Sequence, residues 1–149
     1  FDLYAFFAGS VGNEIYHYNK IYSHFPTFFN GNRHEDVLDS WTPSNTDTDM
    51  PALSESIRNE ETQPNSWFVE DGSYVKLKTL QIGYTLPSSA TSKLGISNAR
   101  IYVAGNNLLT LSKYSGMDPE VGGGPLTLGV DQGIYPQASI TSLGINVTF

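Results

Sequence analysis

Apolar and polar side chains alternate most clearly at the end of the sequence, from Ser139 to Phe149. One set of alternate positions is apolar apart from a threonine, and the other set is small or polar. The first set is Thr141, Leu143, Ile145, Val147 and Phe149, and the second is Ser142, Gly144, Asn146 and Thr148. Because successive side chains of a β-strand point to opposite faces, this pattern predicts a strand with one apolar and one polar face.

Three other segments carry strand-like patterns, so we predict strands over about residues 1–12, 74–86, 98–109 and 138–149. The first strand has an aromatic exception, Phe6, on its otherwise polar face. The apolar set of the second strand is Leu80, Ile82, Tyr84 and Leu86. An unbroken alternation also places Lys76 and Lys78 on the face of Leu80, which is costly inside lipid but acceptable beyond the membrane edge.

Two long segments and one short segment connect these strands. The long ones, about 13–73 and 110–137, are rich in Gly, Asn and Pro, whereas the connector that follows the second strand is short and polar. Aromatic residues in the first long segment argue against disorder. We predict one short helix from Arg33 to Trp41, capped by Asn32. We also predict a tight turn or bulge at 71–73, where Gly72 would supply unusual backbone angles.

The order of long loop, short turn, long loop and chain end is typical of outer-membrane β-barrels. Such barrels have long extracellular loops and short periplasmic turns, so we expect the C-terminus in the periplasm. Gly144, Val147 and Phe149 have the spacing of the signal that directs barrel assembly. A soluble strand could alternate in the same way, but a terminal aromatic without a polar tail favours a strand that closes a barrel.

The predicted fold class is therefore all-β, with about four C-terminal strands of a large transmembrane antiparallel β-barrel and long extracellular loops. We expect the apolar faces of the second and fourth strands to face lipid. The residues expected to face inward are Gln81, Asn146 and Thr148. Phe1, Tyr84 and Phe149 would then form an aromatic girdle at the periplasmic interface.

Composition agrees with this interpretation and excludes several others. Only 15% of residues are charged and 13% are aromatic, which suits a barrel better than an average soluble domain. The formal charge of −7 argues against nucleic acid as a partner, and the absence of Cys excludes disulfides and cysteine chemistry. The 149 residues begin at Phe1 within a strand pattern, without an initiator Met or signal peptide. We therefore expect a C-terminal piece of a longer chain.

Few residues suggest a metal site. Asp47 and Asp49, with Asn45 and Thr46 nearby, offer oxygen ligands for calcium, but the Gly and the distal Glu of an EF-hand loop are missing. We therefore favour an acidic solvated loop and predict no cofactor. The three histidines lack the i, i+4 spacing of a zinc site, and we interpret them as surface residues. They are His17, His24 and His34.

Catalytic and binding candidates are also few. No serine lies in a nucleophile elbow, so we predict that the protein is not an enzyme. Trp67, Phe68 and Tyr74 are candidates for contact with a substrate or a lid protein. For Trp67 and Phe68, packing within their own loop is an equally good interpretation. For Trp41 we favour local packing on the predicted helix.

Five motifs occur in order along nearly the whole chain. They are WTPSNTDTDMP at 41–51, FVEDGSYVKLK at 68–78, LQIGYTLP at 80–87, ARIYVAGNNLL at 99–109 and YPQA at 135–138. Each motif alone is weak, but their order and spacing resemble the C-terminal end of SusC/RagA-type TonB-dependent transporters of Bacteroidetes outer membranes. One small departure is Ala138-Ser139, where that family leads us to expect a basic residue.

The resemblance implies a barrel of about twenty-two strands with a plugged lumen. It also implies a SusD-like lipoprotein as a lid, a glycan or peptide substrate, and energy supplied by TonB. The plug and the segment that contacts TonB belong to the N-terminal part of such transporters, outside this sequence. The resemblance identifies none of the residues that contact substrate.

We therefore predict import of glycans or peptides across the cell outer membrane, with this segment forming barrel wall and lid-contact loops. The alternative is a soluble β-sandwich carbohydrate-binding module of a secreted protein. That fold needs about seven regularly spaced strands, and the long irregular segment 13–73 opposes it. A secreted enzyme domain is a second alternative, opposed by the lack of a catalytic arrangement of residues.

Overall fold

The computed structural model describes residues 1–26, 28, 30–54 and 62–149. The described strands form a four-stranded antiparallel sheet and a smaller three-stranded sheet. The larger sheet contains β1 (Asp2–Ser10), β4 (Tyr74–Thr85), β5 (Asn98–Ser112) and β7 (Ile140–Thr148), in that spatial order. Among the predicted strand ends, that of the third strand differs most from the structure: the sequence predicts an end at about Leu109, whereas β5 continues to Ser112.

The smaller sheet joins the two long connecting segments. It contains β2 (Glu14–His17), β3 (Val69–Asp71) and β6 (Val130–Asp131). The central strand β2 is antiparallel to β3 and parallel to β6. Since β2 and β3 belong to the first long segment and β6 to the second, this sheet ties the two loops together.

Helices are few and short. The first, α1, spans Lys20–His24, and α2 spans Ser88–Thr91 in the short connector. Single 3₁₀ turns cover Glu35–Asp39, Ser66–Phe68 and Ser92–Leu94. None of the helices in the described ranges is long and apolar enough to cross a membrane.

The predicted helix from Arg33 to Trp41 is wrong in length, type and cap. The chain makes only the 3₁₀ turn Glu35–Asp39, whose cap is His34 rather than Asn32, because the His34 ring accepts from the Asp36 backbone N–H. No residue of this turn is buried, so an apolar helical face has nothing to pack against. Trp41 lies beyond the turn and is 43% exposed, and its backbone N–H donates to the Met50 carbonyl.

A register shift in the larger sheet corrects the predicted position of the two lysines. On β1 the adjacent residues Phe6 and Phe7 pair with Thr79 and Leu77, so β4 carries one extra residue, Lys78. Such a bulge reverses the alternation beyond it. Lys76 pairs with Ala8 while Leu80 pairs with Ala5, which puts Lys76 on the face opposite Leu80.

The long loops have their own apolar core. Ile21, Phe25 and Phe68 form a buried cluster, with Tyr16, Tyr18 and Trp67 packed around it. Burial of an apolar side chain of this size contributes about 1.5–3 kcal/mol. This packing offsets the conformational entropy lost when a long loop is ordered, so the described parts of the first long segment form a folded unit.

The predicted reason for a glycine at position 72, between the first long segment and β4, is not the one that the structure shows. Gly72 is absent from the described residues with positive φ, so the expected unusual backbone angles are wrong. A Cβ at Gly72 would instead lie 2.7 Å from Cγ1 of Ile15, and its N–H donates to the Asn13 carbonyl. Glycine is needed here because the Asn13 and Ile15 side chains fill the space that a Cβ would occupy.

Candidate functional site

The two faces of the larger sheet differ sharply in chemistry. Cross-strand pairing aligns Leu3, Ile82, Val103 and Leu143 in one row. All four are between 49% and 72% exposed. A second row on the same face contains Tyr84, Ile101 and Ile145, and all three are also exposed. In the part of the chain that the structure describes, this apolar face has no cover.

The opposite face is polar and carries an ion pair across three strands. Arg100 on β5 donates from Nε and Nη2 to the two carboxylate oxygens of Asp2 on β1. The guanidinium also lies 5.1 Å from the ring centre of Tyr102. A Cβ at Gly83 would overlap Arg100, and one at Gly144 would overlap the Tyr102 ring. Gly144, predicted as part of the assembly signal, therefore also makes room for an aromatic neighbour.

The bulge places both lysines where they hold the second long loop. Lys76 is only 3% exposed, and its ammonium donates to Asp118 at 2.5 Å and to Glu120 at 3.0 Å. Lys78 also donates to Glu120. Burial opposes ionisation of Asp118, but hydrogen bonds from Lys76 and the Glu120 backbone hold its pKa below the usual value. These contacts fasten the loop after β5 to the polar face of β4.

Glu70 is the centre of a second charged group, where the first loop meets the second. Its carboxylate is 2.6 Å from the Lys20 ammonium and accepts from the backbone and hydroxyl of Ser115 at 2.8 and 2.7 Å. Burial opposes ionisation, but the bonds from Lys20 and Ser115, together with one to His17, lower the pKa of Glu70 to about 2. Glu70 is therefore ionised at neutral pH.

A third polar contact, between Tyr114 and Asp131, is almost fully buried within the second loop. The Tyr114 hydroxyl donates to Asp131 at 2.6 Å, and Asp131 is 1% exposed. The other carboxylate oxygen accepts from the backbones of Gly133 and Ile134. Burial and the neighbouring Asp131 raise the pKa of Tyr114. The Asp131 carboxylate thus fixes the turn that follows β6.

Glu70 and Asp131 line a polar cleft of about 470 Å³ between the two loops. His17, Glu70 and Ser115 meet there, but not in the geometry of a catalytic triad. Ser115 donates directly to Glu70, and both side chains approach the same ring nitrogen, Nδ1 of His17. In a triad the imidazole lies between nucleophile and acid, with one partner on each nitrogen. These three side chains instead connect the first long loop to the second by hydrogen bonds.

The structure separates the predicted contact residues. Phe68 is 0% exposed, so the candidate role in substrate or lid contact is wrong for this side chain. Trp67 is partly exposed, and its indole N–H donates to the Asp49 carbonyl. Tyr74 is partly exposed at the start of β4, where its ring lies 5.8 Å from the Lys76 ammonium. Of the three predicted contact residues, Trp67 and Tyr74 keep a surface that a partner could reach.

The predicted girdle residues lie on or beside three different strands of the larger sheet, β1, β4 and β7. The rings of Phe1 and Tyr84 are in contact, with centres 4.6 Å apart. Phe149 follows β7, two strands away from Tyr84, and is 88% exposed. Val147, the middle residue of the predicted assembly signal, pairs with Ala99 on the apolar face.

The interpretation of the histidines as surface residues holds for His34, which is exposed, but is wrong for the other two. His17 and His24 are buried, and His24 stacks on His34 with ring centres 5.1 Å apart. Asp36 lies against both rings. Burial, followed by the neighbouring His34, lowers the pKa of His24, so its ring is neutral near pH 7. Among the described residues, this group could hold a metal ion, whereas the sequence led us to consider Asp47 and Asp49 and to favour a solvated loop for them.

Several residues that join the two long loops to each other and to β4 were not identified from the sequence. They are Glu70, Tyr114, Asp118, Glu120 and Asp131. Their side-chain partners lie 17 to 53 residues away along the chain, and no spacing pattern marks such pairs. The one available signal was two lysines within a strand pattern, because a charge on an apolar strand requires a partner.

Comparison with known proteins places this arrangement in a family. No protein-family model matches the chain. TonB-dependent receptor P3 of Formosa agariphila is 38% identical over 156 residues, which cover 100% of this chain and 15% of that receptor. The receptor SusC of Bacteroides thetaiotaomicron is 28% identical over 108 residues, covering 71% of this chain and 10% of SusC. The named relatives are receptors rather than enzymes.

A solved structure agrees with the sequence relatives. The chain is similar to a chain in the RagAB peptide importer in its open-open state, with a TM-score of 0.81 and 32% identity. The match covers 99% of this chain and 15% of the solved one. The predicted fold class, antiparallel strands of a large outer-membrane barrel, is thereby confirmed. The chain spans about 15% of the length of its first relatives, and it belongs to the SusC/RagA-type TonB-dependent receptors.

Proposed function

We propose that the chain forms part of the wall and outer mouth of a TonB-dependent importer in the cell outer membrane. The observation that carries this proposal is the uncovered apolar face of the larger sheet, backed by a polar face that holds folded loops. In water, so many exposed apolar side chains would be unfavourable. In a bilayer they would meet acyl chains, while the polar face would line the lumen.

The connections support one orientation of this wall. Both long segments, 13–73 and 110–137, leave the sheet at the end where they share the smaller sheet. The short connector with α2 lies at the other end. We assign the long loops to the extracellular side and the C-terminus to the periplasm. Phe1, Tyr84 and Phe149 then belong to the periplasmic aromatic girdle, and Gly144, Val147 and Phe149 to the assembly signal.

The partners follow from the same placement. We assign a SusD-like lipoprotein to the outer mouth, with Trp67 and Tyr74 as its candidate contacts or those of the substrate. TonB would act through the N-terminal part of the full-length receptor. The cargo is a glycan or a peptide, and the printed name of RagAB, a peptide importer, supports the second class. A soluble β-sandwich is not favoured, because the described residues place no second sheet on the apolar face.

Uptake measurements test this function. Cells that carry or lack the full-length receptor would be supplied with labelled oligosaccharides and oligopeptides, in strains with and without functional TonB. We expect uptake of one cargo class to require both the receptor and TonB, and the receptor to remain in membranes until detergent is added. Uptake that is unchanged without the receptor, or release of the receptor by a salt wash alone, would contradict the proposal.

A further inference from the structure

We infer that His24, His34 and Asp36 form a binding site for a divalent transition-metal ion such as Zn²⁺ at the wall of the polar cleft. Two imidazoles and one carboxylate are a common donor set for zinc. Their candidate ligand atoms all lie within 4.8 Å of one another. The site would sit in the first long loop, away from the sheet.

The separations between the donor atoms suit a tetrahedral ion. Oδ2 of Asp36 lies 3.6 Å from Nε2 of His24 and 3.2 Å from Nδ1 of His34. Ligands bound to zinc at its usual bond lengths lie about 3.3 Å apart. Two of the three donor pairs are therefore already at the required separation. His34 Nδ1 also accepts a long hydrogen bond of 3.4 Å from the Asp36 backbone, which a coordinate bond would replace.

The Ser23 hydroxyl is placed to support the tautomer of the buried histidine that a metal needs. Ser23 Oγ is 2.8 Å from Nδ1 of His24 and 3.3 Å from the Asn19 carbonyl. When the hydroxyl donates to that carbonyl, its oxygen accepts from Nδ1–H, which leaves the lone pair of Nε2 toward Asp36. Metal-bound histidines are oriented by this kind of outer hydrogen bond.

The backbone already holds the two halves of the site together. The N–H of His34 donates to the Ser23 carbonyl at 2.9 Å, and Arg33 donates to the carbonyls of Tyr22 and Pro26. The ring of Trp67 packs edge-on against His24, with centres 5.5 Å apart. Binding would therefore need little rearrangement, which is the condition for useful affinity.

Three protein ligands leave one position of a tetrahedral ion open. The three ligand residues line the cleft together with Glu70 and Ser115. A bound ion would thus present its open position to water or to a donor group of a ligand in the cleft. It would also clamp α1 to the 3₁₀ turn Glu35–Asp39.

Titration of the metal-free, full-length receptor with ZnCl₂ tests this site. The receptor is stripped with a chelator, and binding is measured by calorimetry for the wild type and for His34→Ala, whose partly exposed side chain can be removed without disturbing the core. We expect His34→Ala to lose one micromolar site and Ser23→Ala to weaken that site by about 10-fold. Asp39→Asn, in the same turn but outside the donor set, is the matched control.

The outcomes are distinct. Loss of one zinc equivalent in His34→Ala, with Asp39→Asn unchanged, supports the site. Identical titrations of the wild type, His34→Ala and Asp36→Asn would overturn it. Replacing zinc by Co²⁺ adds a readout independent of transport, because tetrahedral cobalt bound to the wild type should give visible absorption bands that His34→Ala lacks. The proposed import function can fail without affecting any of these results.

Discussion

At the residue scale, the charges of the loop junction are held by partners from distant parts of the chain. Lys76 is buried between Asp118 and Glu120, and Glu70 is bound by Lys20 and Ser115. Removing one member of a buried ion pair is more costly than the pair is stabilising, because the other charge stays buried without compensation. Single substitutions should therefore release a loop while leaving the sheet intact.

Lys76→Ala should free the second long loop. The unpaired Asp118 carboxylate would remain buried, at a cost of about 3–5 kcal/mol. We expect faster proteolysis within 110–137 in the full-length receptor, with unchanged amounts of receptor in the outer membrane. Lys93→Ala, at an exposed position in the short connector, is the control. Equal protease resistance of Lys76→Ala and the wild type would show that this ion pair does not hold the loop.

Glu70 should make loop docking sensitive to acid. Its folded-state pKa of about 2 lies below the ordinary value of 4.5, so the folded state binds fewer protons than the unfolded one. The resulting stabilisation is complete above pH 4.5 and is lost as the pH falls toward 2. Its magnitude is on the order of 2–3 kcal/mol, after a discount for partial exposure.

The measurement is the pH dependence of hydrogen exchange in residues 14–24 and 112–118. In the wild type, protection should fall between about pH 4.5 and 2. Glu70→Gln should lack the loss of protection that is due to Glu70, while any loss due to the other carboxylates remains. Superimposable pH profiles for the two proteins would remove Glu70 from this role.

At the element scale, some features of the two sheets could be predicted from the sequence and others could not. The alternating patterns of β1, β4, β5 and β7 could be predicted, because period-two alternation is visible within each strand. The bulge at Lys78 could not, since the extra residue of β4 is defined only by its pairing with the neighbouring strand β1. The same holds for β2 and β6, which are too short to show a period and meet only in the folded chain.

Gly72 marks the boundary between the two sheets. Gly72→Val should push Ile15 and Asn13 away, because a Cβ at this position would lie within 3 Å of both side chains. We expect docking of the first loop to weaken more than barrel assembly. Protease resistance of residues 13–54 reports the first effect, and heat-modifiable migration of the full-length receptor on gels reports the second.

Gly122→Val is the matched control, because no atom lies within 4 Å of a Cβ at Gly122 and its φ is not positive. Equal loss of docking and assembly in Gly72→Val would show that the boundary lies elsewhere.

At the scale of the whole molecule, the candidate site is the polar cleft between the two long loops. Both loops are positioned by the larger sheet, because they leave it at the same end. The strands of the sheet and its apolar face followed from the alternating pattern, whereas the face of Lys76 and the site residues did not. Phe68 illustrates the reason: an aromatic in a loop suits a binding platform and a loop core equally well. Only tertiary packing against Ile21 and Phe25 decides for the core.

The lipid-facing assignment predicts an asymmetric effect of charge along β7. Ile145→Arg would place a cation in the acyl region and should destabilise the barrel by about 2–4 kcal/mol. Asn146→Arg, on the polar face beside Arg100, should cost less because water reaches the lumen. Urea unfolding of the full-length receptor in lipid vesicles measures both values. A larger loss of unfolding free energy for Asn146→Arg than for Ile145→Arg would contradict the assignment of the Ile145 face to lipid.

The most direct test of the membrane-facing assignment is the accessibility of spin labels placed one at a time along 140–148 of the full-length receptor in bilayers. Oxygen partitions into lipid and a neutral nickel chelate into water, so their relaxation effects separate the two environments. We predict oxygen maxima at Leu143, Ile145 and Val147, with minima at Ser142, Gly144 and Asn146. The opposite phase, or high nickel accessibility at every position, would contradict a transmembrane strand with this apolar face toward lipid.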